Sequence, residues 1–279
     1  MSASGVIADG PSTDPALRLE PEGFAVRTAG TPLSGPAVVW IHGYTMDSST
    51  WEELWALLPG WFHIGVDLLG HGQSAPTSTE STLPSIARSV ARLAERYRAT
   101  RVVALSFGSS IALQWALELP DSVTRLVVGA PTIAGVEPEP SAERRYKELM
   151  MLKRFTGPGE QMTELWMSSP PDIFRGTENH PRLRAALRDI ILRHRWKELD
   201  DGAMGRMTAW RQTDADLAAI SARTLAVIGE QDMPTFLASA DRLAAVLPDC
   251  TTARIPDAGH LVLIERAAAV APLLEAHLR

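Results

Sequence analysis

The sequence predicts an α/β fold: a mostly parallel central sheet with helices on both faces and an inserted helical lid. Three observations lead there. Short apolar runs suited to buried parallel strands recur along the chain. Segments with helical patterning lie between most of them, an alternation that wraps a parallel sheet on both faces. One long stretch, from Pro131 to Arg223, breaks the rhythm with several helical segments and no convincing strand.

The elements follow in order. The opening "MSASGVIADGPSTDPALRLE", residues 1–20, lacks the basic start and apolar core of a secretory signal. Its Ser, Gly, Pro and Asp content suggests a mobile leader. The core is expected over 21–131 and 214–279. "FAVRTAGTPL" (24–33) reads as an antiparallel edge hairpin, and "AVVWIHG" (37–43) as the first long strand. Residues 49–58 read as a helix, with Ser49 and Glu52 placed as a capping box. Strands are expected at "FHIGVD" (62–67), "RVVALS" (101–106), "VTRLVVGAP" (123–131), "RTLAVIGEQD" (223–232) and "TTARIP" (251–256). Helices are expected at 83–98, 108–119, 235–247 and 263–278.

The insertion, residues 132–213, carries helical patterns near 141–155, 160–168, 180–196 and 200–212, split by "TGPGE" and "SSPPDIF". A structureless loop of this length is uncommon inside a compact domain, so a helical lid over the sheet is expected. Six of the nine methionines fall in it, together with Trp166, Trp196 and Trp210. Flexible methionine side chains suit a surface that adapts to an apolar ligand. Met150, Trp166, Met207 and Trp210 are therefore candidate substrate contacts, although such residues can equally build the lid's own core.

Composition excludes several classes. The balance of 27 basic against 33 acidic side chains gives a net charge of −6, which disfavours broad binding to nucleic acid or an acidic membrane. No apolar run approaches a membrane span. Cys250 is the only cysteine, so neither an internal disulfide nor a thiolate cluster can form within the chain, and a reducing cytoplasm is the default. There is no phosphate loop, no H-E-x-x-H pair and no dinucleotide fingerprint, so no cofactor or metal is implied.

Chemistry gathers around "RVVALSFGSSIALQWA" (101–116), an apolar strand, a sharp turn at Ser106 and a helix. A strained strand-to-helix turn that lifts a serine above a sheet reads G-x-S-x-G. Ala104 replaces the first glycine here, and Gly108 supplies the second. Neighbours of such a turn must be small so that strand and helix can approach, and an alanine adds only a methyl. Alone, Ser106 could be an ordinary helix N-cap. Its company argues for more: "WIHGY" (40–44) ends the first long strand, "DLLGHGQS" (67–74) follows the second, "GEQD" ends at Asp232, and "PDAGHLVLIE" contains His260.

On these four motifs and the order Ser, Asp, His, the chain resembles the α/β-hydrolase superfamily from about residue 24 to its end, nearest the lid-bearing esterases, lyases and C–C hydrolases. The resemblance implies a serine hydrolase. Ser106 would be the nucleophile, His260 its base on a loop after the last strand, and Asp232 the acid that orients His260. Backbone N–H groups of Phe107 and Tyr44 would form the oxyanion hole, with His42 supporting that loop and counted with the substrate-binding residues. Asp67, Gly70 and His71 resemble a structural turn of the family. The expected partner is a small-molecule ester or thioester with an apolar acyl group. Two alternatives stay open. "HGYTMDSSTW" is similar to the loop of the menaquinone-pathway lyases, in which the same residues would relay a proton. Some members of the fold are hormone receptors that keep the triad.

Overall fold

The computed structural model describes residues 16–279. Eight strands form one sheet: β1 (Ala16–Leu19), β2 (Ala25–Ala29), β3 (Ala37–Ile41), β4 (Phe62–Val66), β5 (Arg101–Leu105), β6 (Arg125–Gly129), β7 (Arg223–Gly229) and β8 (Cys250–Ile255). Their spatial order is β1-β2-β4-β3-β5-β6-β7-β8. Strands β3 to β8 run parallel, while β1 pairs β2 and β2 pairs β4 antiparallel. The middle strands are apolar on both faces because helices cover both. Val39, Val102 and Val127, on neighbouring strands, are all fully buried. Edge strand β8 is largely open to solvent instead, and Cys250 at its start is half-buried, its thiol pushed up to about 11 mainly by that burial.

The edge hairpin lies earlier than the sequence suggested. Its strands are β1 and β2, and its turn is Glu20–Phe24, where Gly23 adopts φ +85° and its N–H meets the Glu20 carbonyl at 2.9 Å. Gly30, at φ +75°, then ends β2 before the expected second half of the hairpin can form. The leader expected over 1–20 thus falls outside the described residues up to residue 15, and its last part contributes β1.

The helices are α1 (Glu52–Ala56), α2 (Leu83–Arg96), α3 (Phe107–Glu118), α4 (Pro140–Thr156), α5 (Glu160–Met167), α6 (Pro181–Arg193), α7 (Ala203–Thr208), α8 (Asp214–Leu217), α9 (Pro234–Val246), α10 (Val262–Glu265) and α11 (Ala267–Leu278). Helices α2, α3, α8 and α9 pack in succession as one layer, and α1 packs with α11 in a second. Helix α3 is buried from Phe107 to Ala116, as befits the helix leaving the middle of the sheet. The Ser49–Glu52 capping box does not form. Asp47, two residues earlier, accepts the Ser49 N–H at 3.0 Å and starts a 3-10 turn, Ser48–Trp51, so that α1 begins only at Glu52.

Between β6 and β7 the chain is helical, in α4 to α8 and two 3-10 segments, Asp172–Asn179 and Lys197–Leu199. The buried Arg145 of α4 ties this region together by donating to the carbonyls of Ser168 (2.9 Å) and Pro170 (2.6 Å). The helix expected over 200–212 shrinks to α7, because Gly202 at φ +68° interrupts the chain after the second 3-10 segment. Among the described residues no helix is long and apolar enough to cross a membrane.

Candidate active site

Parallel pairing brings the carboxyl ends of β3, β5, β6 and β7 into line, and loops at that edge carry the candidate residues. Ser106 is the hinge between β5 and α3. Its φ of 51° and ψ of −122° are strained for any side chain, and the donation of its N–H to the Gly129 carbonyl at 2.8 Å helps hold it there. Gly108 explains the motif's glycine in steric terms. A Cβ at that position would lie 2.6 Å from the carbonyl oxygens of both Ile41 and His42, so only glycine lets α3 approach β3. Ala104 sits inside β5, fully buried, opposite Ile41 and Val128, and the sheet accommodates its methyl group.

Asp232 follows β7 and His260 follows β8. His260 Nδ1 lies 3.0 and 3.2 Å from the two Asp232 carboxylate oxygens, and its Nε2 lies 2.8 Å from Ser106 Oγ. A carboxylate can only accept, so Nδ1 carries the proton and Nε2 is bare toward the serine hydroxyl. Asp232 Oδ1 also accepts the Met233 N–H at 2.7 Å. Phe236 of α9 packs on the imidazole with ring centroids 4.2 Å apart. His260 and Asp232 are buried, while Ser106 stays half-open.

Sequence reasoning missed Glu265. Its buried carboxylate accepts the N–H of Gly259 at 2.6 Å and of Leu261 at 3.0 Å, clamping the backbone on both sides of His260. Burial raises its carboxyl, against the pull of the two amides. The signal was an acid closing the apolar run "LVLI" directly after His260. Gly176, in the 3-10 segment between α5 and α6, presses against this carboxylate: a Cβ there would overlap Glu265 Oε2.

The loop after β3 is held from other directions. His42 Nε2 accepts the Leu68 N–H at 3.0 Å, so its Nδ1–H donates to the Gly43 carbonyl at 2.8 Å. Burial holds its pKa below the ordinary value, which suits a ring that must accept at Nε2. The ring thus bridges the loop after β3 to the loop after β4. The N–H groups of Tyr44 and Phe107 have no protein acceptor among the described residues. The Tyr44 phenol is used elsewhere: it donates to Glu198 Oε1 at 2.6 Å. His194 Nε2 reaches the same oxygen at 3.0 Å. Burial works to raise the Glu198 carboxyl, yet His194, then His71 and the phenol, bring it down to about 2. Burial first, and then Glu198, push the Tyr44 phenol well above its usual value.

The four candidate substrate contacts separate. Trp166 is buried and donates its Nε1–H to Thr45 Oγ1 at 2.7 Å, in the loop beside Tyr44. Met207 is buried in α7. Met150 and Trp210 are 43% and 42% exposed, and neither takes part in the relay of Ser106, His260 and Asp232.

Comparison with known proteins agrees with this architecture. Residues 38–273 match the model of the alpha/beta hydrolase family. A 2-succinyl-6-hydroxy-2,4-cyclohexadiene-1-carboxylate synthase from Enterobacter sp. (strain 638) is 30% identical, across 90% of this chain and 94% of its own length. A pimeloyl-[acyl-carrier protein] methyl ester esterase from Nitrosomonas europaea is 28% identical, across 82% and 90%. Among solved structures, a thermophilic esterase from Thermogutta terrifontis superposes with a TM-score of 0.76 at 25% identity, covering 92% of this chain and 93% of that one. Matched over most of its length and similar to proteins named as esterases and synthases, the chain belongs to the alpha/beta hydrolase family and is an enzyme of it.

Proposed function

We propose that the protein is a serine hydrolase that cleaves an ester or thioester of a small apolar acyl group through an acyl-enzyme. The observation that carries this reading is the continuous relay Asp232–His260–Ser106, set at a strained turn. His260 Nε2 takes the Ser106 proton as Oγ attacks the acyl carbonyl, and the tetrahedral oxyanion is met by the N–H groups of Tyr44 and Phe107. The imidazolium, stabilised by Asp232, returns its proton to the leaving alcohol or thiol. Water, deprotonated by His260, then attacks the acyl-enzyme and releases the acid. The helices between β6 and β7, residues 132–213, act as the lid that keeps the site dry, with Trp166 and Met207 as inward-facing members.

A second reading is favoured by the similarity to the Enterobacter synthase. There Ser106 and His260 would relay a carbon-bound proton, and the same N–H pair would hold an enolate. Kinetics separate the two. An acyl-enzyme predicts a burst of p-nitrophenol from p-nitrophenyl acetate followed by slower turnover and, when the native reaction is run in ¹⁸O-water, one labelled oxygen in the acid product. A product acid without label, from an enzyme that still needs Ser106, assigns the proton relay instead.

A further inference from the structure

We propose that Glu198 and Trp166 are positioning residues that grip Tyr44 from the inserted helices and thereby aim its backbone N–H. The inference rests on the reading of that N–H as an oxyanion donor. Tyr44 belongs to no helix or strand, and its neighbour Thr45 has φ +63°, a conformation that a β-branched residue rarely adopts and that the surroundings must over-determine. Two ties do so, one at each end of Tyr44. At the side-chain end, the phenol donates to Glu198 Oε1, 154 residues away, and His194 Nε2 meets the same oxygen. At the backbone end, Thr45 Oγ1 donates to the Tyr44 carbonyl at 2.7 Å and accepts the Trp166 Nε1–H, 121 residues away.

The rings around Tyr44 come largely from the same insertion. Tyr146 lies at 5.4 Å, Trp166 at 5.5 Å, His194 at 6.0 Å and Trp196 at 6.2 Å between centroids. Glu198 is 1% exposed, and its second oxygen, Oε2, has no partner among the described residues. A buried carboxylate with one oxygen unsatisfied is a poor way to add stability, since an apolar residue of similar volume would serve as well. Its yield is direction: a short, charge-assisted bond that lets the phenol point only one way. The nucleophile's turn needs none of this, being held by β5, β6 and α3, with α3 packed closely on β3 at Gly108.

The test uses p-nitrophenyl acetate with the full chain and the variants Tyr44→Phe, Glu198→Leu, Glu198→Gln, Tyr44→Phe/Glu198→Leu, Trp166→Phe and Ser106→Ala. Circular dichroism melts establish that each is folded at the assay temperature. The expectation is that Tyr44→Phe and Glu198→Leu each lower kcat about ten-fold or more with KM nearly unchanged, because a misaimed donor is felt only in the transition state. The double variant should be no worse than the poorer single, since both cut one tie. Glu198→Gln, which keeps an acceptor for the phenol, should recover most of the rate. Should Tyr44→Phe fail to fold because it strips a partner from a buried charge, the apolar double variant and Trp166→Phe read the same quantity. A kcat within two-fold of wild type in the folded variants, whatever their melting temperatures, overturns the proposal. Turnover that survives Ser106→Ala identifies a different failure, that of the acyl-enzyme reading beneath it.

Discussion

The turn that carries Ser106 and the loop that carries Tyr44 leave neighbouring parallel strands, β5 and β3, yet they are built by opposite means. The Ser106 turn is local. Its strand, its helix, Gly108 and the Gly129 carbonyl all lie within 24 residues of it, apart from the β3 carbonyls that Gly108 meets. The Tyr44 loop has little of its own. His42 anchors it to Leu68, Trp166 reaches Thr45, and Glu198 takes the phenol. A turn made from one supersecondary unit tolerates change elsewhere in the chain. A loop held by distant residues is completed only when the helices between β6 and β7 are seated.

Ser106→Ala should produce the largest effect and would break the local half alone. Turnover of p-nitrophenyl acetate should fall by about 10⁴-fold or more while the melting temperature stays near that of wild type, because members of a triad act as a unit. A folded variant with near wild-type turnover would refute the role proposed for Ser106.

His42→Leu probes the other half through stability. It leaves the Leu68 N–H unpaired inside the protein and the Gly43 carbonyl with the Met46 N–H alone, which should cost about 1–3 kcal/mol in urea unfolding. A cost below about 1 kcal/mol would show that the loop is anchored chiefly from the inserted helices.

Glu265→Gln asks whether the loop that carries His260 belongs with the local or the distant design. A glutamine amide cannot accept both flanking N–H groups, so the His260 loop should loosen and kcat should drop by about 10- to 100-fold with little change in KM. Gly176→Ala, which drives a methyl into the same carboxylate from the inserted helices, should act in the same direction. If Gly176→Ala leaves kcat intact while Glu265→Gln does not, the base loop is clamped from the core alone.

Ala104→Gly should have the smallest effect and sharpens the comparison from the side of the turn. It restores the missing glycine but deletes a buried methyl and loosens a central strand. A stability loss of about 1 kcal/mol and a change in kcat of less than about three-fold are expected. A large gain in rate would mean that the alanine had been straining the turn.

Legibility in the sequence followed the same division. The turn at Ser106 could be read because its requirements are met within a few residues: an apolar strand, a serine, a small residue two places on, and a helix. The parallel strands were readable from their apolar runs, with ends shifted by one to three residues. The hairpin was misplaced because Gly23 and Gly30, not the apolar pattern, decide where the chain turns. The capping box failed because Asp47, just upstream of it, was the better acceptor. In the insertion, methionine and tryptophan content could not say which side chains turn inward. Trp166 and Met207 do, and Met150 and Trp210 remain partly open to solvent.

By itself the sequence determined the class of fold and the order in which Ser106, Asp232 and His260 follow one another along the chain, since periodicity and short motifs are properties of adjacent residues. Only the tertiary structure decided that Glu265 clamps both sides of His260, that the Tyr44 phenol is committed to Glu198, and that Trp166 is a tie to Thr45. The physical reason is that these are hydrogen bonds of buried polar groups. Each such group must find a partner somewhere, but the partner may lie more than a hundred residues away, and nothing in the local pattern of the chain specifies which one the packing will bring to it.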